Sequence, residues 1–466
     1  MPPHRPRTAL AAGLLLVPML TGLVGIASAA PDASFVLSVS PGFSPAELPA
    51  GAEVVTRLRG VGAVQVTAPA SSLANLASTP GVRGVRLDFA LRALGASSST
   101  TGGVLAPETV GAPAGKNKAG KGVTVAVIDT GVEDTSGLQR ADGHLLRGPD
   151  FSGETAATRD GFGHGTFMAN LVAGGAVASD VVGVAPGATV IDVKVAGADG
   201  STTLSKVLQG LNWVAEKGVA QGIRVVSLSM GAARPTSGYG SDPLTDAADA
   251  VQKAGIVVVT ASGNDPTQVS DPGQDPQLFT IGAADTTGAT AAVASFSGRG
   301  YPAGMRKPDV VATGLHVLSV LPAGSAIAQA NPGAQRGNLW RGNGTSQATA
   351  VAAGAVAIFL SGRTDVSPQD VRASFGTAAR DLEGDADGYG LLVLPTTLVD
   401  GDANLTPAPP AGDGGGTPSP SGTSWSGTSW SGTSWSGTSW SGTSWSGTSW
   451  SGTSWSGTSW SASSWS

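Results

Sequence analysis

Asn343-Gly344-Thr345-Ser346-Gln347-Ala348 runs without a break into Thr349-Ala350-Val351-Ala352-Ala353-Gly354-Ala355-Val356-Ala357-Ile358-Phe359-Leu360. The second part is apolar on every side and free of proline, so it reads as a helix sunk in the middle of a large core. Ser346 falls in its first turn. A hydroxyl there stands beside backbone N–H groups that have no partner within the helix, at the positive end of its dipole, where an alkoxide or neighbouring oxyanion is stabilised. A serine at a helix start is ordinarily a cap. What makes this one a candidate nucleophile lies elsewhere in the chain.

Composition sets the bounds. The chain has 466 residues, is 41% hydrophobic and 13% charged, carries a formal net charge of -6 and contains no Cys. That is enough for a full-sized core, and weak acidity argues against nucleic acid as a partner. Without cysteine there is no thiol catalysis and no thiolate metal site. Residues 1–29 give a basic start (His4, Arg5, Arg7), an apolar run and then Ala27-Ser28-Ala29, the small-x-small pattern of a signal peptidase site. The expectation is a secreted, extracellular protein.

A small unit follows over residues 34–90, with strands expected at 35–39, 53–58, 63–67 and 81–88 and a short helix at 71–78. The last strand alternates with period two, as a half-buried strand does. A polar connector at 95–103 separates it from the main body, which alternates continuous Val/Ile runs (123–128, 190–195, 225–230, 256–260, 278–283) with helical stretches such as 204–217 and 244–254. Runs of that kind are strands covered on both faces, so the expected class is α/β with a parallel sheet flanked by helices and chemistry at the carboxyl ends of the strands. Beyond residue 402 a Pro/Gly/Thr linker leads to tandem Ser-Gly-Thr-Ser-Trp copies holding nine of the chain's 11 Trp. With no aliphatic residue and no charge this tail cannot build a core and reads as disordered, its Trp faces open to cell-wall polysaccharide or neighbouring copies.

With His4 leaving in the signal segment, His144, His164 and His316 remain as candidate bases. His164 stands out in Gly163-His164-Gly165-Thr166, where flanking glycines admit close neighbours at the start of a helical pattern. Asp129, after the run Val125-Ala126-Val127-Ile128, is an acid at the end of a buried strand and needs a partner. His164 supplies one, and Asp129 would hold the imidazole in the tautomer that takes a proton from Ser346. Chain order separates the hydrolase classes. No His follows Ser346, which excludes the α/β-hydrolase order, and the chymotrypsin order needs His before Asp; Asp, His, Ser on an α/β scaffold is the subtilisin arrangement.

On these residues the chain resembles a secreted subtilisin-like serine protease, a subtilase, across about residues 110–398. Asp129-Thr130-Gly131, Gly163-His164-Gly165-Thr166 and Gly344-Thr345-Ser346 match the family's three motifs. The resemblance implies Asp129, His164 and Ser346 as orienter, base and nucleophile, and Asn264 in Ala261-Ser262-Gly263-Asn264 as oxyanion donor. It implies that Ser229-Met230-Gly231 pairs with an extended substrate backbone. Ser270, small and uncharged, would lie at the base of the first specificity pocket and favour cleavage after uncharged apolar side chains. It also implies a division into signal peptide (1–29), ferredoxin-like propeptide acting as folding helper and inhibitor (30–105), catalytic domain (106–402) and linker with repeat tail (403–466). Expected partners are protein or peptide substrates and the propeptide itself, with the enzyme a monomer.

The family pattern is not matched throughout. Gln347, Ala350 and Val351 stand where Met, Pro and His are usual, and Phe167 and Asn170 replace a common His and Gly; altered helix packing is the expected consequence. No cofactor or metal is expected, since the loop at 173–184 lacks the family's calcium segment, and residues 381–388 read as an exposed acidic loop, not an EF-hand. The rival reading is a cell-surface binding protein with an inert subtilase domain, acting through its Trp-rich tail.

Overall fold

The computed structural model describes residues 32–93, 103–112, 118–155, 158–232, 239–300, 306–382, 384 and 386–401. The signal segment, the 95–102 part of the connector and the repeat tail lie outside the described residues. An eight-stranded sheet organises the main body in the order Ala292–Val293, Phe279–Asp285, Val257–Ala261, Ile223–Leu228, Thr124–Asp129, Thr189–Lys194, Leu145–Asp150, with Val310–Thr313 also paired to Phe279–Asp285. All pairings are parallel except that of Ala292–Val293.

Alternate residues of the central strands serve two cores, because successive side chains of a strand leave by opposite faces. Val125, Val127, Val257 and Val259 pack with the helices His164–Ala173 and Thr345–Leu360. Ala126, Ile128, Val226 and Val258 pack with Leu204–Lys217 and Pro243–Lys253. The Thr345–Leu360 helix is sunk as its composition requires, with every residue but Ile358 buried. Its small side chains let neighbours close in: a Cβ on Gly354 would lie 2.7 Å from the Val184 Cβ and 3.0 Å from the Val172 carbonyl oxygen. Overpacking there costs about 1–3 kcal/mol.

The small unit is an antiparallel sheet in the order Val82–Leu87, Asp32–Val39, Ala63–Pro69, Glu53–Leu58. Between its first two strands stands a 3-10 turn, Pro45–Glu47, and the expected 71–78 helix is a 3-10 turn, Ala70–Ser72, running into Leu73–Ala77. The main body extends this sheet, since Tyr239–Gly240 pairs with the outer edge of Val82–Leu87. Val36, Leu58, Val61 and Ala63 share a core with Leu204, Leu208, Leu211 and Leu244, so the small unit lies across the two helices that carry those leucines.

Three expectations need correction. The run at 225–230 is not one strand: Ile223–Leu228 ends before Ser229, whose backbone turns to meet Ser346, and Met230–Gly231 belongs to a different sheet. Period-two burial fails in Val82–Leu87, where Gly84, Val85 and Arg86 are all buried because both faces are covered, one by the unit's own core and one by the main body. The acidic stretch at 381–388 is not uniformly exposed: Asp387 is buried and accepts the Leu382 N–H at 2.9 Å. Among the described residues no helix is long and apolar enough to cross a membrane.

Candidate active site

Asp129 is the last residue of its strand, and both its carboxylate oxygens lie against His164 Nδ1, at 2.8 and 2.9 Å. Oδ1 also accepts the Thr130 N–H at 2.7 Å. On the neighbouring strand Lys194 stands in register with Asp129, and its buried ammonium donates to the Thr130 and Ala196 carbonyls at 2.7 and 2.8 Å. His164 opens its helix, His164–Ala173. The motif glycines permit this approach. A Cβ on Gly165 would lie 2.1 Å from the Gly131 carbonyl oxygen, and one on Gly131 would lie 2.1 Å from that of Arg159. With Nδ1 donating to Asp129, the imidazole presents Nε2 as its basic atom.

Ser346 is fully buried at the start of the helix packed against that of His164. Its hydroxyl donates to the Ser229 carbonyl at 3.2 Å, and the Ser229 hydroxyl donates back to the Ser346 carbonyl at 3.3 Å. Asn264, just past Val257–Ala261, accepts at Oδ1 from the Thr345 N–H (3.0 Å) and the Thr345 hydroxyl (2.9 Å). Those two bonds fix the amide, and its Nδ2 is buried with no partner among the described residues. A buried donor left unsatisfied beside a serine is what stabilisation of a developing oxyanion requires.

A strand of the small unit lies beside the residues that follow Ser229. Ala90–Ala93 runs antiparallel between Ser201–Thr203 and Met230–Gly231, with Arg92 opposite Ser201 and Gly231, Leu91 opposite Thr202, and Ala93 opposite Met230. Leu91 is buried in the core that holds Leu204 and Met230. An extended segment held by backbone pairing on both sides, with a side chain in the apolar core, has the geometry of strand addition. Further along, Ser262 accepts the Ser270 N–H at 2.8 Å, and a Cβ on Gly263 would lie 2.1 Å from the Ser270 hydroxyl oxygen, so that wall is small, neutral and tightly closed.

Sequence reasoning missed the wall Ser201–Thr203 and a carboxylate behind the site. Asp160 is buried; Oδ1 accepts from the Thr130 hydroxyl (2.8 Å) and the Gly163 N–H (2.7 Å), Oδ2 from the Thr166 N–H (2.8 Å) and hydroxyl (2.6 Å). It ties the strand end after Asp129 to the first turn after His164. Burial pushes its carboxyl above the ordinary range, against the pull of these bonds. Beside it, burial pushes Asp192 up to about 6 in spite of Arg159, whose Nε lies 2.5 Å away. Asp160→Ala leaves two buried N–H groups and two hydroxyls without an acceptor, so urea unfolding, measured with Ser346→Ala present to prevent self-digestion, should show a loss on the order of 3 kcal/mol. A loss below about 1 kcal/mol would remove Asp160 from the framework of the site.

A family profile described as the subtilase family matches residues 120–391. The chain is 34% identical over 273 residues to the serine protease AprX of Bacillus subtilis (strain 168), a match covering 55% of this chain and 61% of AprX. It is 34% identical over 284 residues to subtilisin BL of Lederbergia lenta, covering 60% of this chain and 92% of that protein. The crystal structure of fervidolysin from Fervidobacterium pennivorans, a keratinolytic enzyme related to subtilisin, superposes with a TM-score of 0.60 over 78% of this chain and 60% of its own, at 22% identity, a likeness of fold. The chain thus spans about three fifths of AprX and of fervidolysin and nearly all of subtilisin BL. With the profile extending over more than half of its length, from just before the Asp129 strand to past the Ser346 helix, the chain belongs to the subtilase family, the subtilisin-like serine proteases.

Proposed function

We propose that this chain is a secreted endopeptidase made as a self-blocked precursor. Ser346 Oγ attacks the scissile carbonyl while His164 Nε2 takes its proton. Asp129 steadies the imidazolium, and Asn264 Nδ2 with the positive end of the Thr345–Leu360 helix receives the oxyanion. The amine leaves with the proton from His164, and water then cleaves the acyl-enzyme by the same groups in reverse. The observation that carries this reading is the pairing of Ala90–Ala93 on both cleft walls beside the Asp129–His164 couple and the Ser346 helix.

The small unit acts as the propeptide. Its strand order supports a ferredoxin-like unit whose first helix is cut down to the Pro45–Glu47 turn. It grips the main body with charge as well as apolar area. Asp88 accepts the Ser205 N–H (2.8 Å) and hydroxyl (2.7 Å) at the start of the Leu204–Lys217 helix, and Arg86 Nε meets Asp242 Oδ2 at 3.0 Å in a buried pair. Asp242 in turn caps the Pro243–Lys253 helix through the Leu244 N–H. Removing one partner of such a pair strands the other, at about 3–5 kcal/mol. The isolated unit with Arg86→Ala should therefore inhibit the mature enzyme at least about 100-fold more weakly; an inhibition constant within threefold of the parent would mean that the pair does not hold the complex.

The same register supports a place for the activation cut. Ala93, the last paired residue of this strand, stands opposite Met230, next to Ser229, whose carbonyl accepts the Ser346 hydroxyl. We propose that the cut falls close beyond this strand, earlier than the 105/106 boundary that the resemblance implies, and after an uncharged apolar residue such as Leu94, the kind a pocket closed by a neutral Ser270 prefers. The mass of the released fragment reads it directly. The function as a whole is tested by digesting an unfolded protein substrate with the full-length chain, a chain ending at Asp402, and Ser346→Ala. Equal digestion by the first two and none by the third is expected. Digestion by Ser346→Ala, or none by the other two once the small unit is removed, overturns the reading.

A further inference from the structure

Tyr239–Gly240 belongs to the main body, so on the activation reading it stays when the small unit leaves. In this structure it pairs antiparallel with Val85 and Gly84, and the Ser241 N–H goes on to donate to the Arg83 carbonyl at 3.1 Å. Carboxylates stand beside this edge. Asp242 Oδ2 meets Arg86 Nε at 3.0 Å, and Asp246 Oδ2 meets Arg83 Nη2 at 3.1 Å in a pair that reaches solvent, the Arg83 side chain being 44% exposed. Asp246 also accepts the Ser241 hydroxyl at 2.9 Å, which holds it toward the edge. A backbone edge with acids at its side suits an extended basic segment, and the strand Val82–Leu87 is such a segment, seated on it.

The departure of that strand leaves charge behind. Asp242, the cap of the helix Pro243–Lys253, shares one face with Asp246 and Asp249, spaced four and three residues apart. Burial pushes Asp249 up to about 6, and Asp275 and Asp246 add to the push against the pull of Lys253. Like charges this close repel, and once Arg83 and Arg86 are gone an incoming cation relieves that repulsion. The acids also lie within reach of a chain bound at the active site. Arg83 and Arg86 stand ten and seven positions before Ala93, whose strand pairs with Met230–Gly231. One polypeptide thus touches both places, and on the mechanism above the part that meets the carboxylates is its acyl side.

We propose that in the mature enzyme the Tyr239–Gly240 edge, with Asp242 and Asp246, is an exosite for polypeptide substrates that carry arginines upstream of the scissile bond, at the places Arg83 and Arg86 hold here. The inference rests on the endopeptidase reading above and adds a substrate class to it. Three peptides test it with the mature protein: residues 82–98 of this chain, the same peptide with Arg83→Gln and Arg86→Gln, and residues 90–98 alone. At low salt kcat/KM for the first should exceed that for the second about tenfold, through KM, and the ratio should shrink below about threefold in about 0.5 M NaCl, as screened surface pairs require. In Asp246→Asn, which keeps an acceptor for Ser241, the ratio should fall to within about threefold while the 90–98 peptide is cut as fast as by the parent. Asp249→Asn serves as the second variant and should lower the ratio in the same direction. Equal kcat/KM for the two long peptides in the parent, or a preference that survives both variants, overturns the proposal. A parent that leaves all three peptides intact would instead sink the endopeptidase reading, and the exosite with it.

Discussion

Ser346→Ala is expected to yield a chain that stays in one piece, with residues 32–93 still attached, and hydrolyses a peptide about 10⁶-fold more slowly; that size is the loss known for the same serine in subtilisin itself, not a figure deduced from these distances. The folded state should survive, since alanine suits the first turn of a helix and needs no partner for its side chain. Electrophoresis of the purified protein reads the first part: one band for the variant, two for the parent. Appearance of the smaller band at an undiminished rate would require another nucleophile; Thr345, the other hydroxyl in the first turn of that helix, is engaged by Asn264 Oδ1.

The second large effect belongs to Asn264. Its Oδ1 is pinned by Thr345, and its Nδ2 is buried without a partner among the described residues, so on the proposed mechanism the donor is held ready before substrate arrives and would gain its bond only when charge develops on the carbonyl oxygen. Asn264→Leu should lower kcat by about 10²–10³ with little change in KM, again the magnitude recorded for subtilisin's own asparagine. The split matters: an interaction made in the transition state alone lowers kcat and kcat/KM together. A rise in KM with kcat intact would make Asn264 a ground-state contact and leave the oxyanion to the helix.

Much of the site was legible because its parts are local. The run Val125-Ala126-Val127-Ile128 announces a buried strand and makes Asp129 its end; the glycines around His164 announce close approach; the unbroken apolar run after Ser346 announces a sunk helix. Each signal lies within about ten residues, the range over which periodicity speaks. What escaped was built between distant segments. Ser201–Thr203 and Ala90–Ala93 are too short to carry a period, and they are strands because they pair with each other and with Met230–Gly231. Arg86 looked like one half of an alternating strand, but Asp242, 156 positions further on, gives it a reason to be buried. Asp160, in a loop of glycines, has the look of a surface acid; only the arrival of Thr130 from one element and Thr166 from another turns it into a clamp. The break at Ser229 is of the same kind, since nothing near it in the chain announces that its carbonyl will meet the nucleophile.

A fluorophosphonate probe puts the whole mechanism to one test. Incubated with the mature protein and followed by mass spectrometry of its peptides, it should modify a single residue, Ser346, and the reaction should slow by several orders of magnitude when His164 is changed to Ala. Modification of another residue, or of Ser346 at the same rate without the imidazole, would show that these three side chains do not work as a unit.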